Sequence, residues 1–583
     1  MRYEKLGPAL ISAVEDFRQG GRVGLAVHQG ALGLVSVAPA VKPARAVVFL
    51  HTEAGADLGP LARLGLELNG GDGAIRTGIV PLARLADLTE QALVHRIVPA
   101  GRLRLLLDVA RGAVNVPAFT SRTGLSGRGV VVGIVDSGIE VGHDSFAGRI
   151  HRVWDQTLYG KGVPEGRYGA ELEGAAMTLS RDTVGHGTHV AGIAAGADET
   201  YGGVAPGARL VVVKTDLLTA HIADGIRYVF RVAAGLGCPA VVNLSLGGQD
   251  DSHDGTDSLS AVIDEVSGPG RIVCCAAGNE GNENIHARLQ VRRGGTRTIP
   301  FAPAAPVPGG PPVVASLIGW YGACDRLEVA VVAPSGLQTP FQPVITEGSP
   351  VRSHTRAEGS VRIVTPGPDP ANGDHGFLVQ VEPAATSVPD AGRGRPGGWR
   401  LRVKGAEVTD GTLDVWSVDP GSAQLSGSTV ADSMKVGSPG AATEAITVAS
   451  YTTKTTWEDI FGDPHEIGLE LHDISDFSSE GPRRDGVEKP DLAAPGAMIA
   501  SALSVHSPVE PAFLIDSLHA LMAGTSMATP FVTGLVALLL ERDPSSTPDA
   551  VRAHLRAHSA IPDRQPGDWD PKWGAGLINA WKL

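Results

Sequence analysis

Cysteine is scarce in this chain: four in 583 residues. That is too few for a disulfide framework, and none of the four has paired metal-ligand spacing. Cys274 and Cys275 are adjacent in an apolar run and read as buried structural thiols. Long hydrophobic runs are missing as well, and none approaches the roughly 18 residues needed to span a bilayer. The start, Met1-Arg2-Tyr3-Glu4-Lys5, has neither the apolar core nor the small-residue cleavage site of a secretory signal. The expected location is therefore cytoplasmic, with export by a route the sequence does not announce left open. Basic residues are outnumbered, 49 to 63, for a net charge of −14. That balance argues against generic binding to nucleic acid or anionic membrane. Repeats and low-complexity tracts are absent too.

What is present is a globular composition, 43% hydrophobic and 19% charged, long enough for two to four domains. Residues 8–18 carry helical apolar spacing behind a proline. Strand, helix, strand, helix, strand follow between about 44 and 97, the pattern of a small ferredoxin-like α/β unit. Residues 1–110 are assigned to this N-terminal part and 111–127 to a connector. From Gly129 to Val135 runs a continuous apolar strand of the kind buried on both faces of a parallel sheet. Strands and helices then alternate through 128–282, predicting an open, mostly parallel sheet with helices on both faces. The rhythm breaks over 283–432, where Gly and Pro separate about seven short strands, the signature of an inserted β-sandwich. Buried-strand character resumes at Ile446-Thr447-Val448-Ala449, so 433–583 completes the α/β domain.

Three stretches carry chemistry. Asp136 ends a buried strand, where open α/β sheets place functional groups. His186 opens one glycine-rich helix, and Ser526, in Gly524-Thr525-Ser526-Met527-Ala528-Thr529-Pro530, opens another. Taken alone, such a serine is a helix cap. A nucleophilic serine instead needs a base within reach, and the base needs a carboxylate to fix its tautomer. The three stretches supply one each, in the order Asp, His, Ser. His186 and His189 are also three apart, but no carboxylate sits where a zinc peptidase motif would need it.

Val135-Asp136-Ser137-Gly138-Ile139, Gly185-His186-Gly187-Thr188-His189-Val190-Ala191-Gly192 and the Ser526 stretch resemble the three signatures of the subtilisin-like serine peptidases. The resemblance covers about 128–282 and 433–583. It implies that Ser526 is the nucleophile, His186 the general base and acid, Asp136 the orienting carboxylate and His189 structural. Asn279, in Ala276-Ala277-Gly278-Asn279-Glu280-Gly281, matches the family's oxyanion donor. Ser245, Leu246 and Gly247 resemble the edge strand that pairs with a substrate backbone. Ala276, Ala277 and Gly278 resemble one wall of the pocket for the side chain before the scissile bond. Glu280 reads as a solvated rim carboxylate, the alternative being a preference for basic substrates.

The resemblance further implies an acyl-enzyme endopeptidase acting on protein or peptide segments. It is expected to be a zymogen whose N-terminal domain inhibits it until cleavage somewhere within 98–127; the missing secretory signal, not the resemblance, favours a selective processing enzyme over a degradative one. A regulatory pseudoprotease or binding scaffold acting through the insert is the rival. The insert is similar to the jelly-roll modules of subtilases like the clostridial germination proteases. No cofactor is required. The family's tight calcium site is expected to be missing, because Ser145 stands where a carboxylate belongs and the loop at 197–201 is short; a weaker site elsewhere is left open.

Overall fold

A computed structural model of the chain describes residues 1–20, 25, 28, 34–35, 44–71, 73–100, 104–105, 114–304, 313–384, 398–419 and 421–583. Among these, ten strands form the central sheet, in the order Ser559–Ala560, Leu577–Ile578, Leu492–Ala497, Ile446–Thr452, Arg271–Ala276, Ala240–Leu244, Val131–Asp136, Arg209–Lys214, Ile150–Asp155 and Ala170–Leu172. All neighbouring pairs are parallel except the outermost pair at each edge. Alternate residues of each strand feed two separate cores. Val132 and Ile134 join one core with the helices His186–Ala195 and Thr525–Arg542. Val131 and Val135 join the other, under Thr219–Gly235 and Ser258–Val266. Both faces of the sheet are thus covered, which is why its strands read as unbroken apolar runs.

The N-terminal unit is a five-stranded antiparallel sheet: Glu67–Leu68, Ile75–Pro81 and Arg45–His51 lie in that order, and Arg96–Pro99 and Leu34–Val35 both pair with Arg45–His51. The strand Glu67–Leu68 was not expected, because two residues are too short to show alternation. The helix expected over 60–66 is only Gly59–Ala62, and the one over 81–88 begins as a 3-10 turn, Leu82–Arg84. One face of this sheet, with Val47, Phe49 and Ile75, packs into the core beneath Thr219–Gly235 and Ser258–Val266. Asp224 on the first of those helices accepts from Thr77 Oγ1 at 2.6 Å and Asn69 Nδ2 at 3.0 Å. The leading helix Pro8–Gly20 reaches the insert, where Ser12 donates to Gln380 at 2.9 Å and Asp16 pairs with Arg362.

Residues 101–103 and 106–113, around the start of the connector, lie outside the described residues, and within the connector Val116–Thr123 is a helix. The insert holds ten described strands, not about seven, in antiparallel sheets of six and four that enclose one core. His286–Gln290, Val351–Arg356 and Ala423–Leu425 escaped notice. The first two are largely polar and the third is three residues long, so neither gives an apolar run. All four cysteines are free, and Cys274 and Cys275 are buried, which pushes the Cys274 thiol up to about 12. Among the described residues no helix is long and apolar enough to cross a membrane.

Candidate active site

The strand Val131–Asp136 delivers Asp136 to the carboxyl edge of the sheet, fully buried beside the start of the helix His186–Ala195. His186 Nδ1 lies 2.7 Å from Asp136 Oδ1, which also accepts the Ser137 N–H at 2.7 Å. A carboxylate there holds the Nδ1–H tautomer and makes Nε2 the proton acceptor of the ring. The helix can sit this close because position 187 is glycine: a Cβ there would meet the Gly138 carbonyl oxygen at 2.2 Å.

Asp182 was not singled out from the sequence, yet it fixes this helix start. Buried completely, it accepts from Gly185 N at 2.8 Å, Thr188 N at 2.9 Å, Thr188 Oγ1 at 2.6 Å and Ser137 Oγ at 2.8 Å. A carboxylate suits a helix N-terminus, where N–H groups lack intrahelical partners. The available signal was its place four residues before His186. His189, one turn on, has Nε2 3.1 Å from the Ala520 carbonyl oxygen and 3.2 Å from that of Ile499, and burial lowers its pKa to about 3. Its surroundings are those of a structural residue.

Ser526 lies in the first turn of Thr525–Arg542. Its hydroxyl donates to the Ser245 carbonyl at 2.9 Å, and its own carbonyl accepts from Ser245 Oγ at 2.6 Å. That carbonyl is free because the residue four ahead is Pro530, which has no N–H to donate. The proline therefore opens the helix hydrogen-bond ladder where the neighbouring strand end locks in. Asn243 donates to Ser245 Oγ at 2.9 Å and accepts from Thr533 at 2.9 Å, completing the clamp.

Asn279 follows the strand Arg271–Ala276. Its Oδ1 accepts from both Thr525 N and Thr525 Oγ1, each at 2.9 Å. The carboxamide is thereby oriented, and its Nδ2 is the half left to donate beside the Ser526 N–H. Two such donors at the start of a helix can stabilise an oxyanion.

The strand Leu246–Gly247 is already paired: Arg104–Leu105 of the same chain runs antiparallel on it, Leu246 opposite Leu105 and Gly247 opposite Arg104. Ser526 and His186 are both fully covered. Ala276, Ala277 and Gly278 are buried next to Asn279. Glu280 departs from expectation: it is half-buried, and its carboxylate is turned inward to accept from Ser479 Oγ at 2.9 Å and Gln249 Nε2 at 3.3 Å. Burial raises its pKa.

A family model described as the subtilase family matches residues 127–304 and 353–576. The chain belongs to the subtilase family. Serine protease AprX of Bacillus subtilis is 33% identical over 171 residues, 29% of this chain and 36% of the relative. Pyrolysin of Pyrococcus furiosus is 40% identical over 165 residues, 25% of this chain and 11% of the relative. This subtilase thus aligns with only a minor part of either relative's length. Among solved structures, the CspB protease of Clostridium perfringens superposes with a TM-score of 0.64 at 22% identity. That likeness of fold covers 80% of this chain and 95% of the other. It takes in more of the subtilase than its two sheet-forming segments.

Proposed function

We propose that this subtilase is a serine endopeptidase that cleaves extended protein segments through an acyl-enzyme and is made as a zymogen. Ser526 attacks the carbonyl carbon while His186 takes its proton, and the imidazolium is stabilised by Asp136. Asn279 and the Ser526 N–H bind the oxyanion, and His186 then protonates the leaving amine. A substrate backbone adds as a strand to Leu246–Gly247. The observation that carries this reading is that the chain's own Arg104–Leu105 pairs with that strand as a substrate would, ahead of an assembled Asp136–His186 pair. The N-terminal unit, whose residues 45–99 run β-α-β-β-α-β, would then be an inhibitory propeptide. The antiparallel register runs toward Ser526, so cleavage is expected within about two residues after Leu105. The test is fluorophosphonate labelling of wild type and Ser526→Ala, with intact-mass analysis of both. An unlabelled, uncleaved wild type that is correctly folded would remove the reading. Selective processing of few targets fits a cleft closed by its own chain, and a broad profile on a peptide library would count against it.

Release of that unit should depend on pH. Burial raises the Asp224 carboxyl to about 6 in the docked state, whereas an undocked, solvated aspartate titrates near 4. The docked state therefore favours the protonated form. Affinity is highest below about pH 4, falls as pH rises through 6 by up to about a hundredfold, and is level above. Dilution-driven dissociation of the cleaved unit across this range should follow that curve, and Asp224→Asn should flatten it.

A tight calcium site is not part of this proposal. Where the family's metal would bind, the Arg149 guanidinium donates to the carbonyls of Ser145, Ala195 and Ala208, and Ala197 N–H donates to the Ser145 carbonyl at 2.9 Å. A fixed cation on three carbonyl oxygens does not fit a dication as well. The Tm should be the same in calcium and in chelator, and Arg149→Met should lower it equally in both. A chelator-dependent Tm for the wild type would refute this.

A further inference from the structure

The inserted unit leaves the catalytic framework directly after Asn279-Glu280-Gly281 and returns at Asp432. Both ends meet at Lys435, whose buried ammonium donates to the Gly281 carbonyl at 2.7 Å and to Asp432 at 2.5 Å, and lies 3.0 Å from Glu480. The oxyanion loop is thus one terminus of the insert. A second connection reaches the same place from the insert's six-stranded sheet.

Trp416 projects from the strand Thr412–Ser417 and is fully buried against the catalytic framework. Its ring stacks on His253 with centroids 4.0 Å apart and planes 5° from parallel, and its indole N–H donates to the Met434 carbonyl at 2.8 Å. His253 Nε2 is 2.6 Å from Gln249 Oε1. Gln249 Nε2 donates to the Lys435 carbonyl at 3.0 Å and to Glu280 Oε2 at 3.3 Å. Both of those partners are pure acceptors, which fixes which end of the amide faces which neighbour.

The series Trp416, His253, Gln249, Glu280 therefore links the insert to the residue beside Asn279. It also joins the edge strand to the pocket wall: Gln249 follows the strand Leu246–Gly247, and Glu280 Oε2 lies 2.7 Å from where a Cβ on Gly278 would stand in the wall. The donors to the Glu280 carboxylate from side chains are neutral, those of Ser479 and Gln249. Its direction is a matter of hydrogen-bond placement rather than of a fixed ion pair.

We propose that the inserted β unit sets selectivity for the substrate side chain before the scissile bond, with Gln249 as the positioning residue that passes the seating of Trp416 to Glu280. This rests on the serine-endopeptidase reading. A carboxylate relieved of the Gln249 donor swings its charge toward the pocket and favours a cationic side chain.

The test compares kcat/KM for peptide substrates differing only in lysine or leucine at that position, using the processed full-length enzyme. Gln249→Met is expected to raise the lysine-to-leucine ratio about tenfold. Trp416→Leu should move it the same way, and the double variant should change it no further than Gln249→Met alone, because the contacts act in series. Labelling of Ser526 by a small fluorophosphonate should stay near the wild-type rate. Should Gln249→Met fail to fold, Gln249→Glu keeps the shape, places a second carboxylate against Glu280 and should also raise the ratio, more so at higher pH. An unchanged ratio in variants that still label, or a double variant whose effect is the product of the single ones, would overturn the proposal. A wild type that neither labels nor cleaves would instead overturn the peptidase reading beneath it.

Discussion

Ser526→Ala is expected to lower kcat by about 10⁶-fold, the magnitude found for the nucleophile of a subtilisin, and to leave the chain uncleaved after Leu105. Both effects come from one hydroxyl. Ser526 is held by the Pro530 gap in the helix ladder and by the Ser245 clamp, and the residue before it by the Asn279 carboxamide. Alanine removes the attacking oxygen and keeps the backbone N–H, so substrate binding and the Arg104–Leu105 pairing should survive. KM is therefore expected to change little, and residual turnover should still exceed the uncatalysed rate through oxyanion binding alone. Steady-state kinetics and intact mass on the same preparation check both halves. Wild-type-like cleavage of the N-terminal unit in this variant would mean that another protease does the processing.

Much of this site was legible because its chemistry is concentrated in short motifs. The aspartate of the proposed triad ends a buried strand, and its histidine begins a helix close enough to Gly138 to need Gly187. Such demands leave marks on consecutive residues. Positions whose roles depend on distant partners left none. Asp182, Gln249 and Trp416 are ordinary residues until folding sets them beside Ser137, Glu280 and His253. Glu280 was misjudged for the same reason, since nothing local indicates that Ser479, 199 residues away, turns it inward. The central sheet announced itself because both its faces are buried, so its strands are unbroken apolar runs. The edge strands of the insert have one wet face and polar sequences, and Val351–Arg356 passed for loop. The helix Val116–Thr123 was hidden by its brevity, with only Val116 and Phe119 buried.

The burial of the Asp136–His186 pair leads to the second large effect. Asp136→Asn is expected to reduce kcat by about 10⁴-fold at neutral pH while the fold and KM stay near wild type. Asparagine matches aspartate in size, but a single oxygen, Asp136 Oδ1, accepts from both the Ser137 N–H and His186 Nδ1. A carboxamide that keeps its oxygen there is a neutral and weaker acceptor for the Nδ1–H. One that places its NH₂ there loses the Ser137 bond and makes the imidazole present Nδ1 as acceptor and carry its proton on Nε2, where it cannot take one from Ser526. The imidazolium formed during attack would also lose its buried counter-charge. A structural role alone would predict a lowered Tm with activity falling in step. The expectation here is the reverse, a nearly unchanged Tm with turnover almost gone. Fluorophosphonate labelling should slow by a comparable factor, because it needs the same proton transfer. Labelling at the wild-type rate would show that His186 does not depend on Asp136 for its tautomer.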